Sequence, residues 1–411
     1  MELENKELIH EEVVALPENQ EVKEFLSMET REDNVCQPIG GARCGGNCQG
    51  NHNAILQYAK PQDQSLLRVK NLKVSFKISR NKFITIVRGI DLSIDKGQII
   101  GLVGESGSGK SVTSKSLLNI NENAFMTADQ MEINGIDLLQ SNKDKFWQKI
   151  RGHVIGYVPQ DPLTSLNPTR KIGKQLLDAL NKNQDWKTKT YVEKRKHLVG
   201  LLERFGIRRA EEVFDMYPHT LSGGMKQRVI IAMVVALRPS LIIADEPTTA
   251  LDPTVQASVL ALFEQIRKEL NITIILISHN ISVVAKFCDY IYVMYAGKIV
   301  ERGLKSEIFT DPKHPYTWAL ISAIPENKED RLYSISGTPP DMNNLPLGDA
   351  FAPRNEYALE IDFIKEPPLF EVSPTHYAAT WLLHPEAPKV QLSNELLTRL
   401  ESFKKVFYAK K

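Results

Sequence analysis

At 411 residues the chain has room for two or three domains around a sizeable core, and a single small domain is excluded. A content of 42% hydrophobic and 25% charged residues, with 23 Gly and 22 Pro, lies near the globular average and excludes collagenous, low-complexity and wholly disordered classes. Lys and Arg number 51 against 50 Asp and Glu, so the sum of +1 offers no overall field for nucleic acid or an anionic membrane.

Residues 1–33 hold eleven acidic side chains against Lys6, Lys23 and Arg31, a composition expected to stay disordered or to form a loose helix. This acidic start is not expected to be a secretory leader, and no stretch of the chain approaches the apolar length of a membrane span, so the chain is not expected to cross a membrane by itself. Residues 34–64 are rich in Gly, Asn and Gln and read as loop. They carry Cys36, Cys44, Cys48 and His52, whose spacing could bind Zn2+ or an iron–sulfur centre but matches no established ligand pattern, and free cysteines in a loop are the expected reading. Four cysteines in a chain of this length are no disulfide framework and point to a reducing cytosol.

The folded body is expected from about Ser65. LLRVKNLKVSF and FITIVRGIDLSID alternate apolar and polar residues as half-buried antiparallel strands do, and GQIIGLVG is dense enough for a buried central strand. VIGYVP, SLIIAD and TIILIS then alternate with helical stretches at 110–120, 223–237 and 254–269, which implies a mostly parallel sheet covered on both faces. Between Asp161 and Pro218 helical patterns at Ile172–Leu180 and Tyr191–Phe205 replace the strands, predicting a helical insertion. Beyond Arg302 the chain turns Pro-rich, a change of domain. The closing VQLSNELLTRLESFKKVFYAKK has Leu392, Leu396, Leu400, Phe403 and Phe407 on one helical face. That face suits a membrane surface or the closing of the C-terminal domain, and the second is expected.

GESGSGKS, running Gly104, Glu105, Ser106, Gly107, Ser108, Gly109, Lys110, Ser111 and followed by Val112, stands between a strand and a helix as a phosphate-binding loop requires. Its glycines let successive N–H groups turn inward, Lys110 reaches β and γ phosphates, and the Ser111 hydroxyl suits Mg2+. SLIIADEP ends in two carboxylates: Asp245 to hold Mg2+ and Glu246 to polarise an attacking water. His279, just past TIILIS, is a candidate to orient that water or touch the γ-phosphate. LSGGMKQR is a second Gly-rich helix start, with Leu221, Ser222, Gly223, Gly224 and Gln227. One nucleotide does not need two such loops, so this one is read as serving a nucleotide held by a partner subunit.

In this order, GESGSGKS, Gln160 in YVPQDP, LSGGMKQR, LIIADEP, Ala250–Leu251–Asp252 and His279, the motifs resemble the ATP-binding-cassette superfamily over about residues 66–325. The resemblance implies a P-loop ATPase cassette of α/β class, with an antiparallel β flank and the 161–218 helical subdomain. It gives Gln160 the lid-loop role of touching Mg2+ and sensing the membrane partner, puts Asp252 at the dimer interface, and makes Phe76 the aromatic that stacks on adenine, with Phe83 a weaker candidate. QDPLTSLNPTRKIGKQ, DEPTTALDPTVQ and KHPYTWALISAIP look like the ATPase subunits of oligopeptide and dipeptide permeases, a group that includes nickel importers.

By that resemblance the chain is an ATP-hydrolysing subunit using ATP and Mg2+ on the cytoplasmic face of the cell membrane. It would pair with a second, related ATPase beneath two membrane-spanning permease subunits fed by an external binding protein. An importer of nickel or another small solute, or a soluble cassette ATPase, are the alternatives. The organisation expected is an extension at 1–65, a cassette at 66–325 and a small C-terminal domain at 326–411. In the family that last domain commonly carries four cysteines that look like iron–sulfur ligands. Here Asp349, Asn355, Asp362 and Thr380 stand at those positions, so no cluster is expected there.

Overall fold

Period-2 patterning builds the first sheet. SLLRVKNLKVSFKIS forms β1 (Ser65–Ser79) and KFITIVRGIDLSID forms β2 (Lys82–Asp95), antiparallel from the Ser65↔Asp95 pair to the Ser79↔Lys82 pair. In this computed structural model the described residues are 65–80, 82–249, 251–324 and 335–408; the candidates Cys36, Cys44, Cys48 and His52 and the acidic segment lie outside them. The apolar IIGLV is β3 (Ile99–Val103). Beyond it β4 (Ala124–Thr127) and β5 (Gln130–Ile133) pair antiparallel with β1, and β6 (Ile136–Asp137) pairs with β5.

The second sheet carries the site. β7 (Ile155–Val158), β8 (Leu241–Asp245), β9 (Thr273–Ser278) and β10 (Tyr290–Tyr295) join β3 in the parallel order β10-β3-β9-β8-β7. Every residue of β3, β8 and β9 is buried, which is why these strands read as continuous apolar runs rather than alternating ones. Alternate β3 side chains enter opposite cores: Ile99 and Val103 one, Ile100 and Leu102 the other. β11 (Lys298–Leu304) returns antiparallel along β10. Neither it nor β10 was picked out from the sequence.

Helices Lys110–Ser116, Gly223–Val235, Pro253–Leu270 and Ile281–Phe287 alternate with these strands. Between β7 and β8 come helices Pro162–Ser165, Ile172–Leu180, Tyr191–Arg204 and Ala210–Asp215. The third starts at a reciprocal cap in which Thr190 and Glu193 each satisfy the other's main-chain N–H.

The C-terminal region is built into this body. β12 (Phe370–Glu371) and β13 (Tyr377–Ala378) extend the parallel sheet beyond β11, with Ala378 opposite Glu301. Buried Glu301 accepts the main-chain N–H groups of Lys313 at 2.6 Å and His314 at 3.1 Å, and meets His376 Nε2 at 2.8 Å. Glu366 pairs with both Arg88 of β2 and Lys298 of β11. Helix Asn394–Tyr408 sends Leu396 and Leu400 into the core shared with Val103 and Ile274, and buried Arg399 donates to Ile321 O at 3.0 Å. Its apolar face packs against residues of the 66–325 body rather than closing the C-terminal region on itself.

Candidate active site

Parallel pairing in the order β3-β9-β8 brings the C-terminal ends of three strands side by side, where open α/β sheets hold their ligands. The loop from Gly104 leaves β3, Glu246 follows β8 and His279 follows β9. Gly107 at φ +80° and Gly109 at φ +102° occupy the left-handed region that a side chain resists. At Gly104 a Cβ would lie 2.1 Å from the Met294 carbonyl oxygen, so only Gly lets the loop leave β3 against β10.

Lys110 opens the helix after this loop. It is 4% exposed, and its ammonium donates to Gly104 O at 2.8 Å and Glu105 O at 2.7 Å. Burial pushes its pKa down, and the Glu246, Asp245 and Glu105 carboxylates pull the other way. The cation therefore rests on carbonyls of its own loop, contacts that phosphate oxygens can replace.

Asp245, itself buried, accepts the Ser111 hydroxyl on Oδ1 at 2.8 Å and the Tyr157 hydroxyl on Oδ2 at 2.8 Å; burial first, then the Asp245 charge, raises the Tyr157 pKa and keeps that hydroxyl a donor. Glu246 has φ +46°, a left-handed backbone rare outside Gly, and its N–H is tied to Ile277 O of β9 at 3.1 Å. Its Oε2 faces Gln160 Nε2 at 3.1 Å, Thr249 Oγ1 at 3.0 Å and His279 Nδ1 at 3.2 Å. Three groups from three loops thus aim one carboxylate. Ser111, Asp245 and Gln160 offer hydroxyl, carboxylate and amide oxygens, hard donors of the kind Mg2+ takes. Among the described residues no three His, Cys, Asp or Glu side chains gather as a metal site.

Lys110, Ser111, Gln160, Glu246 and His279 line one cleft of ≈ 760 Å³, together with Ser106, Gly107, Gly109 and Val112. Its apolar wall comes from Ile84 and Ile86 of β2 and from Met342. Phe76, opposite Ile84 in the β1–β2 register, packs half-buried on the core and does not line the cleft. Phe83 is half exposed, with its ring edge-on to Phe125. The second Gly-rich element also lies outside the cleft. Leu221 is buried, and exposed Ser222 caps its helix by accepting the Met225 N–H at 3.3 Å. Gln227, read from the sequence as facing a partner's nucleotide, is wholly buried, and neither end of its amide meets a partner among the described residues. Exposed Asp252 caps helix Pro253–Leu270 through the Val255 N–H at 3.0 Å.

Sequence reasoning missed Tyr157 and Thr249. Each lies three residues from a motif residue, Gln160 and Glu246, and that adjacency was the available signal. It also missed Arg354, whose guanidinium grips Glu105 from 249 positions away, with no local signal at all. At the four positions where cysteine ligands were considered, side-chain oxygens accept main-chain N–H groups. Asp349 takes that of Phe351 at 3.1 Å, Asn355 that of Tyr357 at 3.0 Å, Asp362 that of Leu359 at 2.7 Å and Thr380 that of Leu382 at 3.3 Å. Hard oxygens already engaged in turns do not fit an iron–sulfur cluster.

Comparison with known proteins agrees with this geometry. A family model described as ABC transporter matches residues 87–249, and one described as oligopeptide/dipeptide transporter, C-terminal region, matches residues 300–361. The chain is 48% identical to the oligopeptide transport ATP-binding protein OppD of Mycoplasma genitalium, with 85% of this chain and 96% of that protein covered. It is 47% identical to the dipeptide transport ATP-binding protein DppD of Lactococcus lactis, covering 82% and 96%. Among solved structures it resembles cbiO1 of Clostridium perfringens, part of an ABC transporter complex, at 29% identity and a TM-score of 0.52, covering 61% of this chain and 92% of that one. A dimeric ATP-binding cassette bound to ADP and Pi matches at 26% identity and a TM-score of 0.51, covering 58% and 99%.

Proposed function

The chain belongs to the ATP-binding proteins of the oligopeptide and dipeptide branch of the ABC transporters, and on that premise we propose that it hydrolyses ATP to power peptide import through membrane permease partners. The observation that carries this is the convergence of Lys110, Ser111, Gln160, Glu246 and His279 on one cleft.

In this reading the N–H groups of the 104–111 loop and the Lys110 ammonium receive the phosphates of ATP, Lys110 exchanging its loop carbonyls for phosphate oxygens. Ser111, Asp245 and Gln160 would hold Mg2+, which when bound offsets charge on the phosphate oxygens. Glu246 takes a proton from the attacking water. Gln160, Thr249 and His279 keep its carboxylate aimed, and Tyr157 holds the far oxygen of Asp245. Ser222, Gly223 and Gly224 would face the nucleotide of a second, related ATPase, with Asp252 at the same interface and Leu221 and Gln227 buried behind them. The helical insertion at 161–218 would dock the permease subunits, and an external binding protein would deliver peptide. Residues 66–325 are taken as the cassette and 326–411 as the C-terminal region. Among the described residues no helix is long and apolar enough to cross a membrane, which suits a peripheral subunit at the cytoplasmic face.

Isolation of the chain with its companions from detergent-solubilised membranes, followed by ATPase and peptide-uptake assays, tests this. Glu246→Gln is expected to lower hydrolysis by about 10²-fold or more while ATP still binds and a dimer accumulates. Normal turnover in that variant would remove Glu246 as the base. Companions lacking any membrane permease would overturn the importer reading.

A further inference from the structure

The phosphate loop is not held by its own strand and helix alone. Arg354 closes a two-pronged ion pair on Glu105, with Nη1 to Oε2 at 2.6 Å and Nη2 to Oε1 at 3.0 Å. Its side chain is 5% exposed. Arg354 is in turn fixed by donating Nε to Ser336 O at 2.8 Å and Nη1 to the Tyr295 hydroxyl at 3.1 Å. The Glu105 main chain is pinned from the same side, its N–H donating at 2.7 Å to the hydroxyl of buried Tyr316, whose ring packs on Tyr295 and Phe351. The carbonyl of that same Glu105 accepts Lys110 Nζ. Independently, Pro340, Asp341 and Met342 line the cleft that holds Lys110 and Glu246.

We propose that the C-terminal region is a working part of the ATP site: Arg354 is a positioning residue that presets the phosphate loop through Glu105, and Pro340–Met342 form one wall of the nucleotide cleft. This rests on the cleft being the ATP site. Two physical effects support it. A loop open enough to wrap phosphates must be ordered when it binds, and a partly buried bidentate pair orders Glu105 beforehand. A bare carboxylate on the phosphate loop would repel the incoming anion, and Arg354 neutralises it. The Arg354 guanidinium bonds to Glu105, Ser336 and Tyr295, none of them in the hydrolytic trio of Glu246, Gln160 and His279. The pair therefore governs nucleotide affinity rather than the chemical step.

The full chain is titrated with a fluorescent N-methylanthraniloyl derivative of ATP, and the assembled transporter is assayed for KM and kcat. Arg354→Ala is expected to weaken binding about tenfold, because the loop must then be ordered as the nucleotide binds and carries an unneutralised carboxylate, and to raise KM while kcat stays within twofold. Arg354→Lys, with one prong, falls between. Adding Glu105→Gln to Arg354→Ala is expected to cause no further loss, because the bare carboxylate is gone. Binding of Arg354→Ala within twofold of the parent, additive losses in the double variant, or a fall in kcat at constant KM would each overturn the proposal. Should Arg354→Ala not fold, as judged by melting, the milder Arg354→Lys and Glu105→Gln carry the same test of non-additivity. Lys110→Ala is the separate control. If it binds the probe as tightly as the parent, the ATP-site reading itself fails, and the proposal with it.

Discussion

Glu246 shows how much one residue can be constrained. Its left-handed backbone is paid for by the surrounding contacts: Gln160 and Thr249 donate to one of its oxygens, and His279 Nδ1 lies 3.2 Å from the same atom. Thr249→Val removes one donor without opening a void. It is expected to lower kcat several-fold, by about 1 kcal/mol of lost aim, with KM for ATP unchanged, as steady-state kinetics would read. Asp349 is constrained differently. Burial raises its carboxyl from 3.8 to about 6, with Asp362 adding to the rise and the Phe351 N–H opposing it. A raised folded-state value means the fold prefers the proton, so this residue's stabilising effect is complete below pH 3.8 and is lost as pH climbs through about 6. Asp349→Asn keeps the acceptor for Phe351 and removes the titration. Thermal melts from pH 4 to 7 should show the variant gaining on the parent as pH rises, by roughly 2 kcal/mol at neutrality.

At the scale of elements, the site is a consequence of strand order. β3, β8 and β9 are adjacent and parallel, so their C-terminal ends deliver the phosphate loop, Glu246 and His279 to one rim. Their apolar runs were legible because burial on both faces needs apolar residues at every position. β12 and β13, two residues each, are too short to show any period. The junction of β3 with its loop tolerates no side chain at position 104. Gly104→Ala, with its Cβ set 2.1 Å from a main-chain oxygen of β10, is expected to displace the loop and abolish nucleotide binding in an equilibrium titration. Asp252 belongs to this scale too. Asp252→Ala should cost about 1 kcal/mol in chemical denaturation through loss of the helix cap, whatever it does to a dimer.

At the scale of the whole molecule, the Pro-rich change of composition beyond Arg302 suggested a separate domain, yet the packing joins it to the rest. Ala350, Phe351, Leu396 and Leu400 fill the same core as Val103 and Ile274, and β13 covers the edge of β11. Deleting residues 335–411 strips that core and frees a strand edge. The truncated chain is expected to aggregate or melt without a sharp transition, whereas the full chain should show one cooperative transition for the body spanning 65–408 in calorimetry.

The sequence by itself determined the local frame: which Gly-rich loop joins a strand to a helix, which strand ends in two carboxylates, and which helices begin near Lys110, Gly223 and Thr254. Each rests on a few neighbouring residues whose backbone preferences and burial period are readable in order. Only the tertiary structure decided what meets across distance. It set Ile84, Ile86 and Met342, rather than Phe76, on the wall of the cleft, buried Gln227, and gave Glu246 a donor in Thr249. It also brought Arg354 onto Glu105. Such pairings leave no periodic trace, because they depend on how two sheets and their helices pack, and a charged residue's partner is chosen by that packing rather than by its neighbours in the chain.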